Sequence, residues 1–183
     1  MDNSHDIQIM EKNVARERKF DGIILHIDHL TNELPNGKLA KREVAVHVGA
    51  SAVLPIDSEG NIYLVRQFRA PIDQILLEIP AGKLDSVDED RLLAAKRELQ
   101  EETGLCANDW RLLVDTFTTP GFSNEKISLY LARDLVFGES RPDEDEFLNV
   151  VKMPFEEAFQ MAMKGEIQDA KTLIAITMAK NLI

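Results

Sequence analysis

The sequence contains a single cysteine, Cys106, among its 183 residues. One cysteine excludes an internal disulfide framework and is compatible with a reducing compartment, so we interpret Cys106 as a small packing residue. Long apolar runs are also missing. None approaches the roughly 18 residues of a spanning helix, and the polar start of the chain has no apolar signal-peptide core. These features predict a soluble cytoplasmic protein.

Basic residues are scarce relative to acidic ones. The chain has 21 lysines and arginines against 32 aspartates and glutamates, for a formal net charge of −11. That balance disfavours nonspecific binding to nucleic acid or to anionic membranes, because both are themselves negatively charged. Small phosphorylated metabolites remain compatible, through local arginines. The length of 183 residues suits one domain with its own core, with or without a small appendage.

The most informative stretch that is present runs from Gly82 to Leu105. Ser86 followed by Glu89 has the form of a helix capping box, and Gly104 is typical of a helix end. The apolar stripe of this predicted helix consists of Leu92, Leu93, Ala95 and Leu99.

Three glutamates, Glu98, Glu101 and Glu102, occupy positions i, i+3 and i+4 of this helix. The spacing places their carboxylates on one face, which we expect to point away from the buried leucines. Like charges repel, so the arrangement suggests a compensating divalent cation such as Mg²⁺, which takes oxygen ligands and often binds together with phosphates. The alternative interpretation is an acidic helix face that contacts only solvent.

The same segment resembles the Nudix box, the signature of the Nudix hydrolases, written G-x5-E-x7-R-E-U-x-E-E-x-G-U with U an aliphatic residue. The typed positions are filled here by Gly82, Glu89, Arg97, Glu98, Leu99, Glu101, Glu102, Gly104 and Leu105. Six residues rather than five separate Gly82 from Glu89. The extra residue should alter the loop before the helix without moving the acids relative to one another.

Further segments are similar to the ADP-ribose pyrophosphatase branch of that family. They are Arg42-Glu43, Val65–Arg69, Leu77–Gly82, Thr119–Glu125 and Asp143–Phe147. The branch associates a proline beyond the box with ADP-ribose, and Pro120 is well placed for it. The resemblance implies a Nudix fold, which is an α/β/α sandwich around a mixed sheet, and homodimers that exchange N-terminal strands.

The activity implied by the resemblance is Mg²⁺-dependent hydrolysis of a nucleoside diphosphate sugar, with ADP-ribose giving AMP and ribose 5-phosphate. GDP-mannose or another nucleotide sugar is the alternative substrate. Two alternatives from other classes remain: a Nudix-fold sensor that binds a nucleotide sugar without cleaving it, and a purely structural acidic domain that binds no divalent cation.

Metal ligands follow from the helix spacing together with the resemblance. We expect Glu98 and Glu102 to hold Mg²⁺, with Mn²⁺ as a substitute, and Glu101 and the carbonyl of Ala81 to complete the ligand set. Glu98 is therefore a catalytic candidate. Arg97 lies about 100° around the helix from Glu98, so we expect a salt bridge to Glu89 or Glu101 and not a phosphate contact.

The general base is expected on the acidic loop Gly138–Glu146, because the resemblance implies a glutamate on a loop after the box. Glu144 is our first candidate and Glu146 the second. Substrate contacts are expected from Arg42, Arg69, Glu78, Pro120, Gly121 and Glu125. Arg66 and Arg69 lie three apart on a strand and point to opposite faces, so only one serves the site, and the resemblance favours Arg69 for the phosphates. The candidates for stacking on a base are Phe20, Phe68 and Phe122.

Strand-like and helical patterns alternate along the chain, which indicates a layered α/β domain. Residues 1–47 are predicted to form a loose leader and a β-hairpin of Lys19–Thr31 and Lys41–Val48, which packs on the main domain or on a second subunit. Residues 48–183 are predicted to form the catalytic domain. Its strands are expected at Ala50–Ile56, Ile62–Phe68, Leu76–Ile79, Trp110–Thr118, Ile127–Ala132 and Phe147–Met153, with closing helices at Phe155–Lys164 and Ala170–Leu182.

Overall fold

The computed structural model describes residues 8–138 and 147–183, and the chain divides into two compact units. The first unit contains the chain up to His47 together with Thr119–Glu125. The second contains Val48–Thr118 and the chain from Lys126 onward. The first unit is thus assembled from two separate stretches of the sequence.

The first unit is built on an antiparallel sheet in the order β1-β2-β3. Its strands are β1 (Lys12–Asp21), β2 (His26–Glu33) and β3 (Leu39–Val46). The predicted hairpin is present as the antiparallel pair β2 and β3. Its first strand is shorter than predicted, because the chain reverses after β1, where the Gly22 amide donates to the carbonyl of Leu25 at 2.9 Å, and β1 adds a third strand. The last residues of the predicted leader also belong to β1.

Salt bridges to β2 stabilise strand β1. Its sequence therefore lacks the alternation of apolar and polar residues that marks a strand. Asp28 on β2 is buried and forms salt bridges with Arg16 and Arg18 of β1. Every residue of β1 is exposed, so no alternation of apolar and polar residues marks it. The predicted turn before β3 is confirmed, with Gly37 at φ 78° and its amide bonded to the Leu34 carbonyl at 2.8 Å.

Residues 119–125 extend this unit by pairing with the end of β3. Ser123 forms a parallel bridge with Ala45, whose amide donates to the carbonyl of Phe122 at 2.7 Å. The Asn124 side chain closes the pairing, because its Oδ1 accepts from the His47 amide at 2.7 Å. A loop distant in sequence thereby becomes part of the first unit.

The second unit contains a mixed sheet in the order β7-β4-β9-β8 and an antiparallel sheet in the order β10-β5-β6. In the mixed sheet β4 runs parallel to β9 and antiparallel to β7. The strands are β4 (Ala50–Pro55), β5 (Asn61–Arg69), β6 (Gln74–Glu78), β7 (Ala81–Lys83), β8 (Leu105–Phe117), β9 (Lys126–Phe137) and β10 (Leu148–Pro154). The helices are α1 (Arg91–Thr103), α2 (Phe155–Met163) and α3 (Ala170–Ala179).

Helices cover both faces of the mixed sheet. On one face Leu54 of β4 packs in a cluster with Ala175 and Ile176 of α3, and on the other Val53 packs with Leu99 of α1. The predicted α/β/α sandwich around a mixed sheet is confirmed. Within the described ranges, every helix is too short or too polar to cross a membrane.

The strands and helices predicted for this unit are present, and the largest boundary errors concern β8 and β9. Strand β8 begins at Leu105 instead of Trp110, and β9 ends at Phe137 instead of Ala132. The two strands pair antiparallel over their whole length, with Leu105 opposite Phe137. Pairing therefore extends both strands beyond their apolar segments.

Helix α1 begins later than its sequence predicted. The N-cap is Asp90, whose side chain accepts hydrogen bonds from the amides of Leu92 at 2.9 Å and Leu93 at 3.0 Å. The capping box starting at Ser86 is therefore wrong: the Glu89 carboxylate instead accepts from the Asp85 amide at 2.6 Å. The predicted end is correct, since Gly104 takes a left-handed conformation at φ 70°.

Candidate active site: paired carboxylates on helix α1

Two of the three glutamates of α1 lie on its buried face. Glu98 is 7% exposed and Glu102 is 2% exposed, and they share this face with Ala94, Ala95 and Leu99. Our expectation that the acids point away from the buried residues is wrong. Leu93, assigned to the apolar stripe, is instead exposed. Helix α1 therefore carries two of its carboxylates on the same face as its buried apolar residues.

Strand β7 supplies the reason, because its main chain lies against both buried carboxylates. A Cβ added to Gly82 would overlap the carboxylate of Glu98, so only glycine leaves room for this acid. The amide of Ala81 donates to Glu102 Oε2 at 3.2 Å. Two carboxylates one helical turn apart thus converge on the Ala81-Gly82 segment.

Arg97 neutralises this acidic group. Its Nη1 lies 2.6 Å from Glu98 Oε1 and 3.1 Å from Glu101 Oε2, and its Nη2 lies 3.5 Å from Glu89 Oε1. The predicted salt bridges to Glu89 and Glu101 are confirmed, whereas the contact with Glu98 was not predicted. Burial alone would lower the pKa of Arg97, but the neighbouring carboxylates, Glu98 first, raise it above its ordinary value.

The residues present fit a hard divalent cation. Within residues 8–138 and 147–183, no three His, Cys, Asp or Glu side chains are grouped so that they could hold a metal ion by themselves. Mg²⁺ does not require three, since proteins hold it through one or two carboxylates together with waters and substrate phosphates. Glu98 and Glu102 provide two buried carboxylates beside the strand that carries the Ala81 carbonyl.

A second charged cluster surrounds Glu78, at the end of β6. Arg69 Nε and Nη2 each lie 2.7 Å from a Glu78 oxygen, and Lys171 Nζ contacts the same carboxylate. Burial would raise the pKa of Glu78, but Arg69 and Lys171 outweigh that effect and hold the pKa below its ordinary value. Arg66, three residues before Arg69 on β5, is exposed. The phosphate-binding role of Arg69 stays a prediction.

We expect Glu78→Gln to lower the free energy of unfolding at pH 7 by about 2 kcal/mol, because a neutral amide cannot balance two adjacent cations. The folded-state pKa of Glu78 lies below its ordinary value of 4.5, so its charge stabilises the fold fully above pH 4.5. This stabilisation is lost as the pH falls through the folded-state pKa. Urea denaturation should therefore show a smaller difference between variant and wild type in acid than at pH 7.

Glu166→Gln is the matched control for that measurement, because Glu166 is exposed in the connection between α2 and α3. Its unfolding free energy should follow the wild type at both pH values. A Glu78→Gln deficit of equal size at both pH values would contradict the assignment of the effect to the Glu78 charge.

The remaining predicted site residues belong to the first unit or lie outside the described residues. Arg42 belongs to the first unit, where it forms a salt bridge with Glu11. Pro120, Gly121 and Glu125 lie on the loop that pairs with β3, and Glu125 Oε1 is 3.6 Å from His47 Nδ1. The base candidates Glu144 and Glu146 lie outside the described residues. Of the stacking candidates, Phe20, Phe68 and Phe122 are all more than half exposed.

Sequence reasoning missed Lys171 and Thr172, which contact the Glu78-Ile79 segment from the first turn of α3. Each of these contacts spans 93 residues of chain. The only local signal was Asp169, which caps α3 by accepting from the Thr172 amide.

Comparisons with known proteins identify the relatives of this chain. The family model for the NUDIX domain matches residues 45–175. The ADP-ribose pyrophosphatase of Bacillus subtilis (strain 168) is 43% identical over 168 residues, covering 91% of this chain and 90% of that protein. The methanol dehydrogenase activator of Bacillus methanolicus is 40% identical with the same coverage. A crystal structure of an ADP compounds hydrolase superposes with a TM-score of 0.81 at 22% identity, covering 94% of this chain and 93% of that one, which shows the shared fold.

Proposed function

This chain belongs to the Nudix family of hydrolases, and from that premise we propose that it cleaves the pyrophosphate bond of nucleoside diphosphate sugars, with ADP-ribose as preferred substrate. The products are AMP and ribose 5-phosphate. The observation that carries the proposal is the pair of buried carboxylates, Glu98 and Glu102, against the glycine-bearing strand β7. The ADP-ribose pyrophosphatase at 43% identity supports the choice of substrate.

The cation is proposed to be Mg²⁺, or Mn²⁺ in its place, held by Glu98 and Glu102 with Glu101 and the Ala81 carbonyl. Such an ion supplies charge neutralisation on the phosphates and a bound water of lowered pKa. The guanidinium of Arg97 lies directly against the carboxylates of Glu98 and Glu101, so its positive charge partly balances theirs.

Hydrolysis adds one water across the P–O–P bridge: the water oxygen bonds to one phosphorus, the bridging oxygen leaves with the other phosphate, and one water proton must be removed. We assign that proton to Glu144 first and Glu146 second. Arg69 is suited to a phosphate oxygen, because its pairing with Glu78 uses Nε and Nη2 and leaves Nη1 outside the pair. Arg42, Pro120, Gly121 and Glu125 are proposed to contact the rest of the substrate.

We also propose that the enzyme is a cytoplasmic homodimer formed through the first unit. The turn between β1 and β2 exposes large apolar side chains, with Ile23 94% exposed and Ile24 and Leu25 more than half exposed. An exposed apolar patch of this kind is typical of a protein interface. The single cysteine, Cys106, agrees with a reducing compartment.

Sedimentation equilibrium should accordingly give twice the mass of one chain. The double variant Ile23→Asp, Leu25→Asp should sediment as a monomer, because two carboxylates would be buried without partners at the interface. Met163→Asp, at an exposed apolar residue of α2, is the matched control and should remain dimeric. A wild type that sediments as a monomer rejects the proposed dimer.

The experiment that tests the function is release of AMP or GMP from a panel of ADP-ribose, GDP-mannose, UDP-glucose and diadenosine polyphosphates, with Mg²⁺ or with EDTA. We expect Mg²⁺-dependent turnover of ADP-ribose. Preference for GDP-mannose would retain the chemistry and reject the substrate assignment. Tight binding of one compound without turnover would instead support a sensor. Turnover that EDTA does not diminish would reject the proposed dependence on a divalent cation.

A further inference from the structure

A buried hydroxyl holds the main chain that leads into β7. Thr172, in the first turn of α3, is 0% exposed, and its Oγ1 accepts a hydrogen bond from the Ile79 amide at 2.8 Å. The same hydroxyl donates to the carboxylate of Asp169. Because it accepts from one neighbour and donates to the other, the hydroxyl has a single orientation.

The residues that follow Ile79 are fixed in turn. The Pro80 carbonyl accepts from the Val53 amide at 2.9 Å, and the Ala81 amide donates to Glu102 at 3.2 Å. Proline itself has no N–H to contribute. The Thr172 hydroxyl therefore anchors the beginning of the segment whose end lies against the two buried carboxylates.

The neighbouring charges strengthen this anchor. Lys171 Nζ contacts the Glu78 carboxylate and lies 3.0 Å from Asp169 Oδ1. The other oxygen of Asp169 accepts from the Thr172 amide at 3.0 Å and from its hydroxyl. The first turn of α3 thus contacts both the side chain of Glu78 and the main-chain amide of Ile79.

We propose that Thr172 is a positioning residue for the carboxylate site. By fixing the Ile79 amide, it sets where Ala81 and Gly82 stand against the carboxylates of α1, and so the geometry in which these acids receive a divalent cation. Mg²⁺ demands near-ideal octahedral geometry, so a small displacement of β7 weakens its binding. The inference rests on the proposed function, because the cation is the one that the hydrolysis uses.

The test is a measurement of Mn²⁺ affinity in the absence of substrate. The concentration of free Mn²⁺ is determined by electron paramagnetic resonance. Thr172→Val keeps the shape of the side chain and removes the hydroxyl, and we expect its Mn²⁺ dissociation constant to rise about tenfold. Thr172→Ser keeps the hydroxyl and should restore wild-type affinity. Thr177→Val is the matched control, because Thr177 is exposed on the same helix and donates only to the Leu173 carbonyl at 2.7 Å.

If Thr172→Val does not fold, Asp169→Asn tests the same contact. Asparagine still caps α3, but it cannot both accept from the Thr172 hydroxyl and form an ion pair with Lys171. It should weaken Mn²⁺ binding and speed hydrogen exchange of the Ile79 amide. Wild-type Mn²⁺ affinity in Thr172→Val, or an equal loss in Thr172→Ser, would overturn the positioning role and leave the proposed hydrolysis intact. A wild type that binds no Mn²⁺ would overturn both.

Discussion

Glu98→Gln is expected to lower kcat for the pyrophosphate substrate about a thousandfold, because it removes one of the two buried charges proposed to hold the cation. The amide has nearly the same shape as the carboxylate, so it still fits against Gly82, and the fold should be retained. Steady-state release of AMP from ADP-ribose, together with circular dichroism of the variant, checks both statements.

Glu157→Gln provides the control for this variant. Glu157 is exposed on α2, so removal of its charge should leave turnover at the wild-type level. Wild-type kcat in Glu98→Gln would show that this carboxylate is not needed for the reaction, and the assignment of α1 as the catalytic helix would have to be abandoned.

Gly82→Ala should have the second largest effect. The new methyl group would occupy the space of the Glu98 carboxylate, which must then turn away from β7. We expect turnover to fall about a hundredfold, because a catalytic group displaced by about 1 Å loses the geometry that the reaction needs. Steady-state kinetics should show the lower turnover, and Mn²⁺ titration of the same variant should show weaker cation binding.

Gly60→Ala separates this steric effect from the general cost of replacing a glycine. Gly60 has φ 82° and open space around its Cα, so alanine there is strained without touching the carboxylates. It should lower the free energy of unfolding by about 1 kcal/mol and leave turnover unchanged. Full activity in Gly82→Ala would contradict the packing of Glu98 on this glycine.

Helix α1 could be predicted because the sequence signals for it are local. The spacing of Glu98, Glu101 and Glu102 fixes their relative positions on any helix, and the Gly104 end followed from the same stretch. Their burial could not be predicted, because it depends on β7, which ends before the helix begins and packs over it only in the folded chain. The periodicity of apolar residues carries information about the helix alone and not about the strand that packs on it.

Polar contacts between distant segments account for two further features that the sequence did not predict. Strand β1 depends on the burial of Asp28 between two arginines, and the anchor of β7 depends on Thr172, which lies 93 residues from Ile79. Neither leaves an apolar pattern. The layered α/β arrangement, by contrast, followed from alternating strand and helix patterns, because burial of apolar residues determines those directly.

The divided first unit constrains how this protein can be recombined with its relatives. The NUDIX match begins at residue 45, which suggests that the strands before it form a removable module. Yet Ala45 and His47 take their main-chain partners from Phe122, Ser123 and Asn124, deep within the matched region. A chimera joined near residue 47 would separate these partners, so a successful graft must carry both stretches from one parent.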